Sequence, residues 1–528
     1  MKSHAQSRHG LLRGLNHIPR SPSFEGRFGR LFRSLPAAEF RTGILDALAK
    51  AMTAAREDPP TPETERDPEE NSGISAGITY LGQFIDHDLT FDPSSSLQKQ
   101  NDPDALVDFR SPRFDLDSVY GRGPDDQPYL YAADGVRMVL GRRLTGSPKD
   151  PNARDVPRSN PGAGPKRAII GDPRNDENVI VSQLHAAFLR FHNRVADHLG
   201  TADFETVQRF VRWHYQWVVV NDFLPSIVEA ETLHHVLPHL SNGTSPAEDP
   251  PRLRFFHWRN EPFIPVEFSV AAYRFGHSMV RPQYRLNTTL KDRLDLFAKS
   301  GPDLVGFREY PREFAIDWSL FFKMTPRPKD VGIDRLQPAY KIDSSLVNPL
   351  ALLPPIEAPD IPVLAQRNLL RGLRMGLPSG QAVARRMGVE PIPDELLKVG
   401  KATEEDEASN VAITDISPEF GHNAPLWFYV LAEAQQQFAT NQTPIRLGPV
   451  GGRIVAEVLV GLLLGDRHSF LAQNPEWRPF QEFTRNGCFE MGDLIARALE
   501  GKESPQTHTA DAASEPALAG GRRTGAGH

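Results

Sequence analysis

Apolar and polar residues between positions 78 and 89 repeat with the period of an amphipathic α-helix. At about 100° per residue, the apolar side of this predicted helix is formed by Ile78, Leu81, Phe84, Ile85 and Leu89. Gln83, Asp86 and His87 share one narrow arc, whereas Asp88 points well away from that arc. The pattern predicts a helix that packs on a core and presents polar side chains to two separate places. A merely solvated polar face would give the same pattern.

A second amphipathic helix is predicted after residue 178. Its apolar positions are Leu184, Phe188, Phe191, Val195 and Leu199. Residues 448–471 form another helical stretch, and Pro-rich connections run through residues 58–70, 146–166 and 325–355. Because no break separates two balanced cores, we predict one large, mainly α domain with few short strands and long Pro-rich loops.

The chain has 528 residues, of which 39% are hydrophobic, and this is enough for a large buried core. We predict a single large domain over residues 41–500, preceded by an Arg-rich arm at residues 1–40. Residues 501–528 are rich in Gly, Ala and Thr, which predicts a disordered tail. The arm lacks the apolar segment of a secretion signal, so the location stays open between the cytoplasm and export by a non-classical route.

The charge balance points to a small-molecule partner. A formal charge of -7 from 60 basic and 67 acidic side chains argues against a nucleic-acid-binding protein. No apolar run reaches the roughly 20 residues that span a bilayer, so we predict no transmembrane segment. Cys488 is the single cysteine, so stabilisation beyond packing must come from a metal, a cofactor or an interface. The oligomeric state stays unknown.

The loop at residues 111–121 is rich in oxygen ligands. Ser111, Arg113, Asp115 and Asp117 alternate along it, so hydroxyl, carbonyl and carboxylate oxygens can point the same way in an extended chain. Calcium takes about six to eight oxygen ligands. The Gly and the terminal Glu of an EF-hand are missing at the required offsets. The loop is therefore a candidate calcium site of another kind, with a solvated loop as the alternative.

Two further patterns lie downstream. Arg174 and Glu177 precede the second predicted helix, where the carboxylate could also simply complement the helix dipole. His277 lies in a predicted helical run, three residues after Arg274. A lone histidine on a helix is more often a satisfied core residue than a ligand. Neither pattern is specific by itself.

Other histidines carry less information. His185 and His192 share a helix face, but no acidic or cysteine partner has a zinc-site spacing, so we interpret them as structural. His234, His235 and His239 stay unassigned.

Motifs of one known family occur in the family's order between about residue 71 and residue 378. The string Gln-x-x-Asp-His-Asp at 83–88 resembles the distal helix of the animal-type haem peroxidases, the peroxidase-cyclooxygenase superfamily, and the chain is similar to bacterial relatives of myeloperoxidase and peroxinectin. The further matching strings are Arg-x-x-Glu at 174–177, Arg-Phe-Gly-His at 274–277 and the segment at 367–378.

The resemblance implies a role for each matched residue. The catalytic residues would be His87, Arg174 and Gln83. A haem b would be held by Asp86, Glu177, Arg274, His277, Asn368 and Arg371. In this set His277 would bind the iron, Asn368 would accept the imidazole proton, and the two carboxylates would form ester links to haem methyl groups. A calcium ion would be bound by Asp88, Ser111, the carbonyl of Arg113, Asp115 and Asp117.

The same resemblance implies a function. The protein would be a haem peroxidase that reduces hydrogen peroxide through a ferryl intermediate and oxidises a small donor such as a phenol or a halide, in keeping with a response to oxidative stress. One alternative is a fatty-acid dioxygenase of the cyclooxygenase type on the same scaffold. Another is a calcium-dependent adhesion protein with an inactive peroxidase fold.

Several positions depart from the family pattern. Asn178 stands where myeloperoxidase has the methionine that links to haem, so that link is impossible here. Dioxygenases carry a tyrosine three residues before the proximal histidine, where this chain has Arg274. Tyr273, one residue earlier, should be rotated by about 100° on a helix, and this favours a peroxidase. Residues 373–378 read Leu-Arg-Met-Gly-Leu-Pro, unlike the Arg-Asp-His-Gly-Leu-Pro of animal relatives.

Overall fold

The computed structural model describes residues 26–56, 63–91, 106–160, 162, 164–201, 203–298, 300–325, 329, 331–354 and 361–500. The α-helices are α1 Thr42–Ala51, α2 Ala76–Leu89, α3 Asp117–Tyr120, α4 Val179–Leu199, α5 Phe204–Val218, α6 Leu224–Ile227, α7 Ala230–Val236, α8 Pro238–Asn242, α9 Leu364–Arg374, α10 Gly380–Met387, α11 Ile413–Ile416, α12 Leu426–Ala439, α13 Gly451–Gly465, α14 Phe470–Gln473 and α15 Met491–Leu499. The strands are β1 Gly26–Gly29, β2 Glu70–Ser75, β3 Val107–Asp108, β4 Ile264–Pro265, β5 Gln283–Tyr284, β6 Leu294–Asp295, β7 Pro338–Tyr340, β8 Lys398–Val399 and β9 Val411–Ala412.

The strands form only small sheets, so the protein is mainly α, as predicted. One sheet has three strands in the order β3-β1-β4, and the others are the pairs β2-β7, β5-β6 and β8-β9. The helices share one continuous apolar core that runs through the domain. Among the described residues, no helix combines the length and the apolar character needed to cross a membrane.

Helices α2 and α4 pack against each other at the centre of this core. The ring of Phe84 on α2 stacks on Phe188 of α4, with centroids 4.6 Å apart and planes at 5°. Such an offset aromatic pair adds about 0.5–1.5 kcal/mol to simple area burial. Ile78, Leu81 and Ile85 are also buried, so α2 buries its predicted apolar side. The packing fixes how α2 presents its polar residues.

The described part of the predicted arm packs along the domain. Strand β1 pairs with β3 in antiparallel and with β4 in parallel orientation. Arg30 donates hydrogen bonds to the carbonyls of Met375 and Gly376 at 2.6 and 2.8 Å. The backbone N–H groups of Leu31 and Phe32 donate to the buried carboxylate of Glu267. The boundaries of the arm stay a prediction, and residues 1–25 and the predicted tail 501–528 lie outside the described residues.

The segment around His277 is helical but is not a regular α-helix. A π-helical turn, Glu267–Ala271, runs into the 3₁₀ helix Ala272–His277. At the junction Ala271 has φ -125° and ψ -78°, which is outside the helical region. His277 therefore lies in a helical segment, as predicted, but the winding of that segment is π and then 3₁₀.

Candidate functional site

One cavity of about 270 Å³ lies between α2 and the 3₁₀ helix at 272–277. His87 lines it from α2 and His277 lines it from the 3₁₀ helix. Much of the remaining wall is apolar and is formed by Ile78, Phe275, Met279, Val280, Leu296, Phe297, Leu350, Leu353 and Leu364. A largely apolar pocket with a few convergent polar groups is the usual form of a ligand site.

His87 is held by polar groups from the segment before α4. Its Nδ1 lies 2.8 Å from Oδ1 of Asn175, and its Nε2 lies 3.6 Å from a carboxylate oxygen of Glu177. Gln83 donates to the same Glu177 carboxylate and accepts from Nδ2 of Asn178 at 3.1 Å. Burial, and then the nearby Arg174, lower the pKa of His87 to about 4. The imidazole is therefore neutral near pH 7 and can accept a proton.

Arg174 contacts the backbone of α2 and is not among the residues that line the cavity. Its guanidinium donates to the carboxylate of Asp172, at 2.8 Å for the shortest contact, and to the backbone carbonyl of His87 at 3.0 Å. It also lies over the ring of Phe91, 4.6 Å from the centroid. The predicted catalytic role of Arg174 stays a prediction, since in this structure the side chain supports His87.

On the other side of the cavity, the predicted pair of His277 and Asn368 is in contact. Nδ2 of Asn368, on α9, lies 2.8 Å from Nδ1 of His277. Burial, and then Arg274, lower the pKa of His277 to about 3, so this ring is neutral as well. Arg274 lines the cavity and donates to the carbonyl of Ser269 at 3.0 Å. Arg371 follows Asn368 by one turn of α9 and is not among the residues that line the cavity.

Tyr273 also lines the cavity, contrary to the prediction that it is rotated away. Its hydroxyl donates to the carbonyl of Gly82 on α2 at 3.3 Å, and its ring stacks on Phe268 with centroids 4.6 Å apart. All five residues from Tyr273 to His277 line the cavity, so a rotation of about 100° from Arg274 does not remove the Tyr273 side chain from its wall. Burial, and then Asp86, raise the pKa of the Tyr273 hydroxyl, which is therefore protonated near pH 7.

The predicted calcium ligands Asp88, Asp115 and Asp117 come together. One oxygen from each of these carboxylates lies within 4.8 Å of the others. Asp88 is fully buried and accepts from the backbone N–H of Leu116 and from Ser118 Oγ at 3.3 and 3.2 Å. Burial, then Asp115 and Asp117, raise the pKa of Asp88 well above its usual range. Three converging carboxylates are costly unless a cation neutralises them.

Asp117 gives a second indication of a cation. Its Oδ1 is buried and has no hydrogen-bond partner among the described residues. Burial raises the pKa of Asp117 to about 7, although Arg110, with Nη1 at 3.4 Å, opposes the shift. Ser111 Oγ donates to Asp115 at 2.6 Å, and the backbone N–H of Arg113 donates to the Ser111 carbonyl at 2.8 Å. The donor set is oxygen-only, which suits calcium.

Asp172 connects the two sites and was not singled out in the sequence. Its carboxylate accepts from Arg110, Nη2 at 2.6 Å, and from Arg174. Burial raises the pKa of Asp172, but the two guanidinium groups lower it below the usual range. Asp-Pro before a helical turn was the available signal, because Asp172 caps the 3₁₀ helix Pro173–Asp176. No local signal pointed to the pairing of Arg110 with Asp172, which lies 62 residues later in the sequence.

The histidines interpreted as structural are buried and hydrogen-bonded. His192 lies between the hydroxyl of Tyr120 and the carbonyl of Val136, at 2.9 and 2.8 Å. His185 contacts Nδ2 of Asn175 at 3.0 Å. Within the described ranges, the one group of His, Cys, Asp and Glu placed to hold a metal ion is the aspartate cluster.

Comparison with known proteins gives consistent matches. The family model for the animal haem peroxidase domain matches residues 98–299, which include the aspartate loop, Arg174 and His277. Thyroid peroxidase of Sus scrofa is 26% identical over 396 residues, which cover 68% of this chain and 38% of that protein. The chain thus spans under two fifths of that relative's length, and the activity of the whole relative is not transferred by the match.

Two solved structures share the fold. Peroxidase A from Dictyostelium discoideum superposes with a TM-score of 0.56 at 16% identity, covering 93% of this chain and 96% of that one. The fatty acid alpha-dioxygenase of Arabidopsis thaliana superposes with a TM-score of 0.55 at 15% identity, covering 88% of this chain and 76% of that one. The matched domain and the thyroid peroxidase relative make this chain similar to the animal haem peroxidases, and the two solved structures share its fold.

Proposed function

We propose that this protein is a haem peroxidase that reduces hydrogen peroxide and oxidises a small donor such as a phenol or a halide. The observation that carries the proposal is that two neutral imidazoles, the buried His87 and the half-buried His277, line one cavity from two different elements. One imidazole is suited to ligate a metal and the other to move a proton. Cleavage of a peroxide requires a metal ligand and a proton-transfer group in the same cavity.

The cavity also suits a haem at Gly276. A Cβ built on Gly276 meets no atom within 4 Å, so the backbone faces open space beside His277. A flat group can therefore approach the main chain there. His277 would bind the iron through Nε2, which requires the proton on Nδ1 and the amide oxygen of Asn368 as its acceptor. Rotating the Asn368 amide by 180° places that oxygen at the contact.

Further residues would hold the rest of the haem. Arg274 and Arg371 are suited to the propionates because a guanidinium binds a carboxylate with two parallel hydrogen bonds. Asp86 and Glu177 line the cavity and are proposed to form ester links. When bound, the haem supplies a redox-active iron that takes up peroxide and passes oxidising equivalents to the donor. The side chains of the protein perform the other functions of the site.

His87 would accept the proton of the incoming peroxide at Nε2 and return it to the departing oxygen. Asn175 bonds its Nδ1, so Nε2 is left on the cavity side. Gln83 and Glu177 hold each other beside this nitrogen, and Gln83 can orient a water or an anion. Arg174 bonds the carbonyl of His87 and does not line the cavity, so its proposed role in stabilising charge on the departing oxygen requires the guanidinium to leave Asp172.

A fatty-acid dioxygenase is the second candidate, and Tyr273 is the observation that favours it. The Tyr273 hydroxyl lies in the cavity against α2, and the alpha-dioxygenase of Arabidopsis thaliana shares the fold. A phenol beside an oxidising centre could serve as an intermediate oxidant for an apolar chain. The peroxidase is preferred because the tyrosine is four residues before His277, and Arg274 occupies the position three before it.

Three assays on the haem-loaded protein separate the candidates. A peroxidase oxidises a phenol such as guaiacol only when hydrogen peroxide is added. A dioxygenase consumes oxygen with palmitic acid in the absence of added peroxide, and Tyr273→Phe abolishes that uptake. Protein that shows no Soret band after expression with haem supply would instead be an inactive scaffold, for which calcium-dependent adhesion is the remaining function.

We also propose that the aspartate cluster, together with Ser111 Oγ and the Arg113 carbonyl, binds calcium. Removal of the ion by a chelator is expected to lower the free energy of unfolding, by about 2.7 kcal/mol when the starting free calcium is about 100 times Kd. Thermal unfolding with and without calcium measures this change. Asp117→Asn should abolish the calcium-dependent part, whereas Asp134→Asn, outside the cluster, should retain it. Equal stabilisation by calcium in both variants contradicts the site.

Gly276→Val tests the proposed haem position. The added side chain finds open space in the empty cavity but collides with a bound porphyrin, so haem affinity should fall by about tenfold or more, since overpacking costs about 1–3 kcal/mol. Haem titration and thermal unfolding of the haem-free protein are the two measurements. Gly43→Val is the control, because Gly43 also has no neighbour within 4 Å but is exposed on α1. Unchanged affinity in Gly276→Val would place the haem elsewhere.

The ester links predict that haem stays on the polypeptide after denaturation. Mass spectrometry of the denatured protein should show the chain mass increased by one haem. Asp86→Ala and Glu177→Ala should each retain one link, and the double variant should release the haem completely. Complete extraction from the unmodified protein would remove both links from the proposal.

A further inference from the structure

A line of buried hydrogen bonds continues behind His87 into the core. Nδ1 of His87 lies 2.8 Å from Oδ1 of Asn175, and Nδ2 of Asn175 lies 3.0 Å from Nδ1 of His185. His87 is 4% exposed, and the other two side chains are fully buried. The amide thus bridges two imidazoles away from water. The donor and acceptor roles of the amide atoms determine which nitrogen of each imidazole carries the proton.

An amide oxygen only accepts hydrogen bonds and an amide nitrogen only donates them. With Oδ1 facing His87, the proton of the neutral His87 ring must be on Nδ1, so Nε2 carries a free lone pair. With Nδ2 facing His185, Nδ1 of His185 must be unprotonated, so its proton is on Nε2. In the amide orientation of the structure each ring therefore has a single tautomer, and the two tautomers are opposite.

The reverse amide orientation reverses both rings. If Nδ2 faced His87, the His87 proton would move to Nε2, and the nitrogen on the cavity side could no longer accept a proton. His185 would then have to donate from Nδ1 to the amide oxygen. The tautomers of His185 and His87 are thus coupled through the side chain of Asn175.

Neighbouring groups keep the bridge in place. Asn175 lies in the 3₁₀ helix Pro173–Asp176, where its backbone N–H donates to the Asp172 carbonyl at 3.1 Å. The His185 ring packs edge-on to Phe84, with centroids 6.4 Å apart, and its Nε2 has no hydrogen-bond partner among the described residues. The Glu177 carboxylate is 3.6 Å from Nε2 of His87, too far to hold a proton on that nitrogen.

We propose that Asn175 and His185 are positioning residues that hold His87 in the tautomer whose cavity-side nitrogen accepts the peroxide proton. The tautomer itself is a property of the chain, and only its use in the reaction rests on the proposed peroxidase function. His185, interpreted as structural from its sequence, then has a role in which its ring nitrogen decides the orientation of the amide.

The tautomers can be measured directly. Long-range ¹⁵N–¹H correlation spectra of protein with ¹⁵N-labelled histidine, recorded with the diamagnetic zinc protoporphyrin bound, distinguish the two neutral forms of each ring. We expect Nδ1–H for His87 and Nε2–H for His185. Asn175→Leu and His185→Leu should both shift His87 toward Nε2–H. His185→Asn should restore Nδ1–H, because its side-chain oxygen takes the place of Nδ1 as acceptor.

Kinetics supply the second readout. In the haem-loaded protein, Asn175→Leu and His185→Leu should slow the reaction with hydrogen peroxide by about 10- to 100-fold, the usual effect of removing the group that orients a functional histidine. Asn175→Asp retains an acceptor and should stay within a fewfold of the original rate. His192→Leu is the control, since it removes another buried imidazole from α4 that has no contact with Asn175.

Two results would overturn the inference: an unchanged His87 tautomer in Asn175→Leu, or an equal loss of rate in His192→Leu and His185→Leu. A failure of the proposed function looks different. In that case the original protein would not react with peroxide, while the spectra of the chain would still report whether Asn175 sets the tautomer.

Discussion

The His277→Ala variant is expected to purify without haem and without a Soret band, whereas Arg174→Ala is expected to retain its haem. His277 is the imidazole whose Nδ1 lies 2.8 Å from the Asn368 amide, and with the amide rotated by 180° its oxygen accepts from Nδ1, which is the arrangement that orients a metal ligand. Loss of the imidazole removes Nε2, the proposed ligand of the iron. The variant should bind at least tenfold less haem per chain, measured by absorbance at the Soret maximum and by pyridine haemochrome analysis.

The control for misfolding is a buried histidine away from the cavity. His192→Ala leaves a comparable hole in α4, breaks two hydrogen bonds, and should still bind haem. Circular dichroism of all three variants would show whether the helices are kept. Equal loss of haem in His277→Ala and Arg174→Ala would remove the distinction between a ligand and a distal residue. Exogenous imidazole should partly restore haem binding to His277→Ala, because it can occupy the vacated space.

The helical architecture and much of the candidate site could be predicted because they depend on local patterns. The period of apolar residues places α2 and α4 correctly, and both helices bury the predicted sides. On a regular helix the angle between neighbouring side chains is fixed, so Asp88 and His87 necessarily face different sites. The aspartate cluster could be predicted because Asp115 and Asp117 lie two residues apart in one short segment. That segment contacts Asp88 on α2.

Where backbone winding is irregular, the same reasoning fails. Tyr273 was placed off the cavity by counting 100° per residue, but the cavity wall includes every residue of the 3₁₀ helix from Tyr273 to His277. No pattern of apolar residues distinguishes π or 3₁₀ winding from an α-helix, since they differ by small changes in turn angle. The correction matters chemically because it returns a phenol to the cavity.

Contacts between distant polar side chains were also outside the reach of sequence patterns. Asn175 is one of three residues between Arg174 and Asn178 with no periodic signal, yet it bridges two histidines on different helices. Arg174 was expected in the cavity, but the carboxylate of Asp172, two residues earlier, holds its guanidinium away from the cavity lining. Which partner an arginine chooses depends on the distance to every carboxylate in the fold, and that is known only from coordinates.

The shared carboxylate of Asp172 gives the two sites a physical connection. Arg110 bonds Asp172 and also lies 3.4 Å from Asp117, while Arg174 bonds Asp172 and the carbonyl of His87. A calcium ion at the aspartate cluster would therefore influence the charged groups of Arg110, Asp172 and Arg174. The last of these bonds the backbone of His87. Stability of the loop and the position of His87 are expected to depend on the same ion.

The second large effect is expected from His87→Leu, which should bind haem normally but react with hydrogen peroxide about 100- to 10,000-fold more slowly, the usual contribution of a positioned general base. Leucine has a similar volume and no nitrogen, so the cavity keeps its shape while the proton acceptor is lost. Stopped-flow absorbance at increasing peroxide concentration gives the second-order rate constant directly. Gln83→Leu, one turn earlier on α2, is the matched control.

The comparison is informative because both residues line the cavity from the same helix. Gln83→Leu removes the partner of Glu177 but leaves the imidazole, so its reaction should slow by about tenfold or less if it only orients a water or an anion. Added imidazole should accelerate His87→Leu and leave Gln83→Leu unchanged, since only the first lacks a base. If His87→Leu reacted as fast as the original protein, the proton would be taken up by another group, and Glu177, 3.6 Å from the same nitrogen, would be the residue to substitute next.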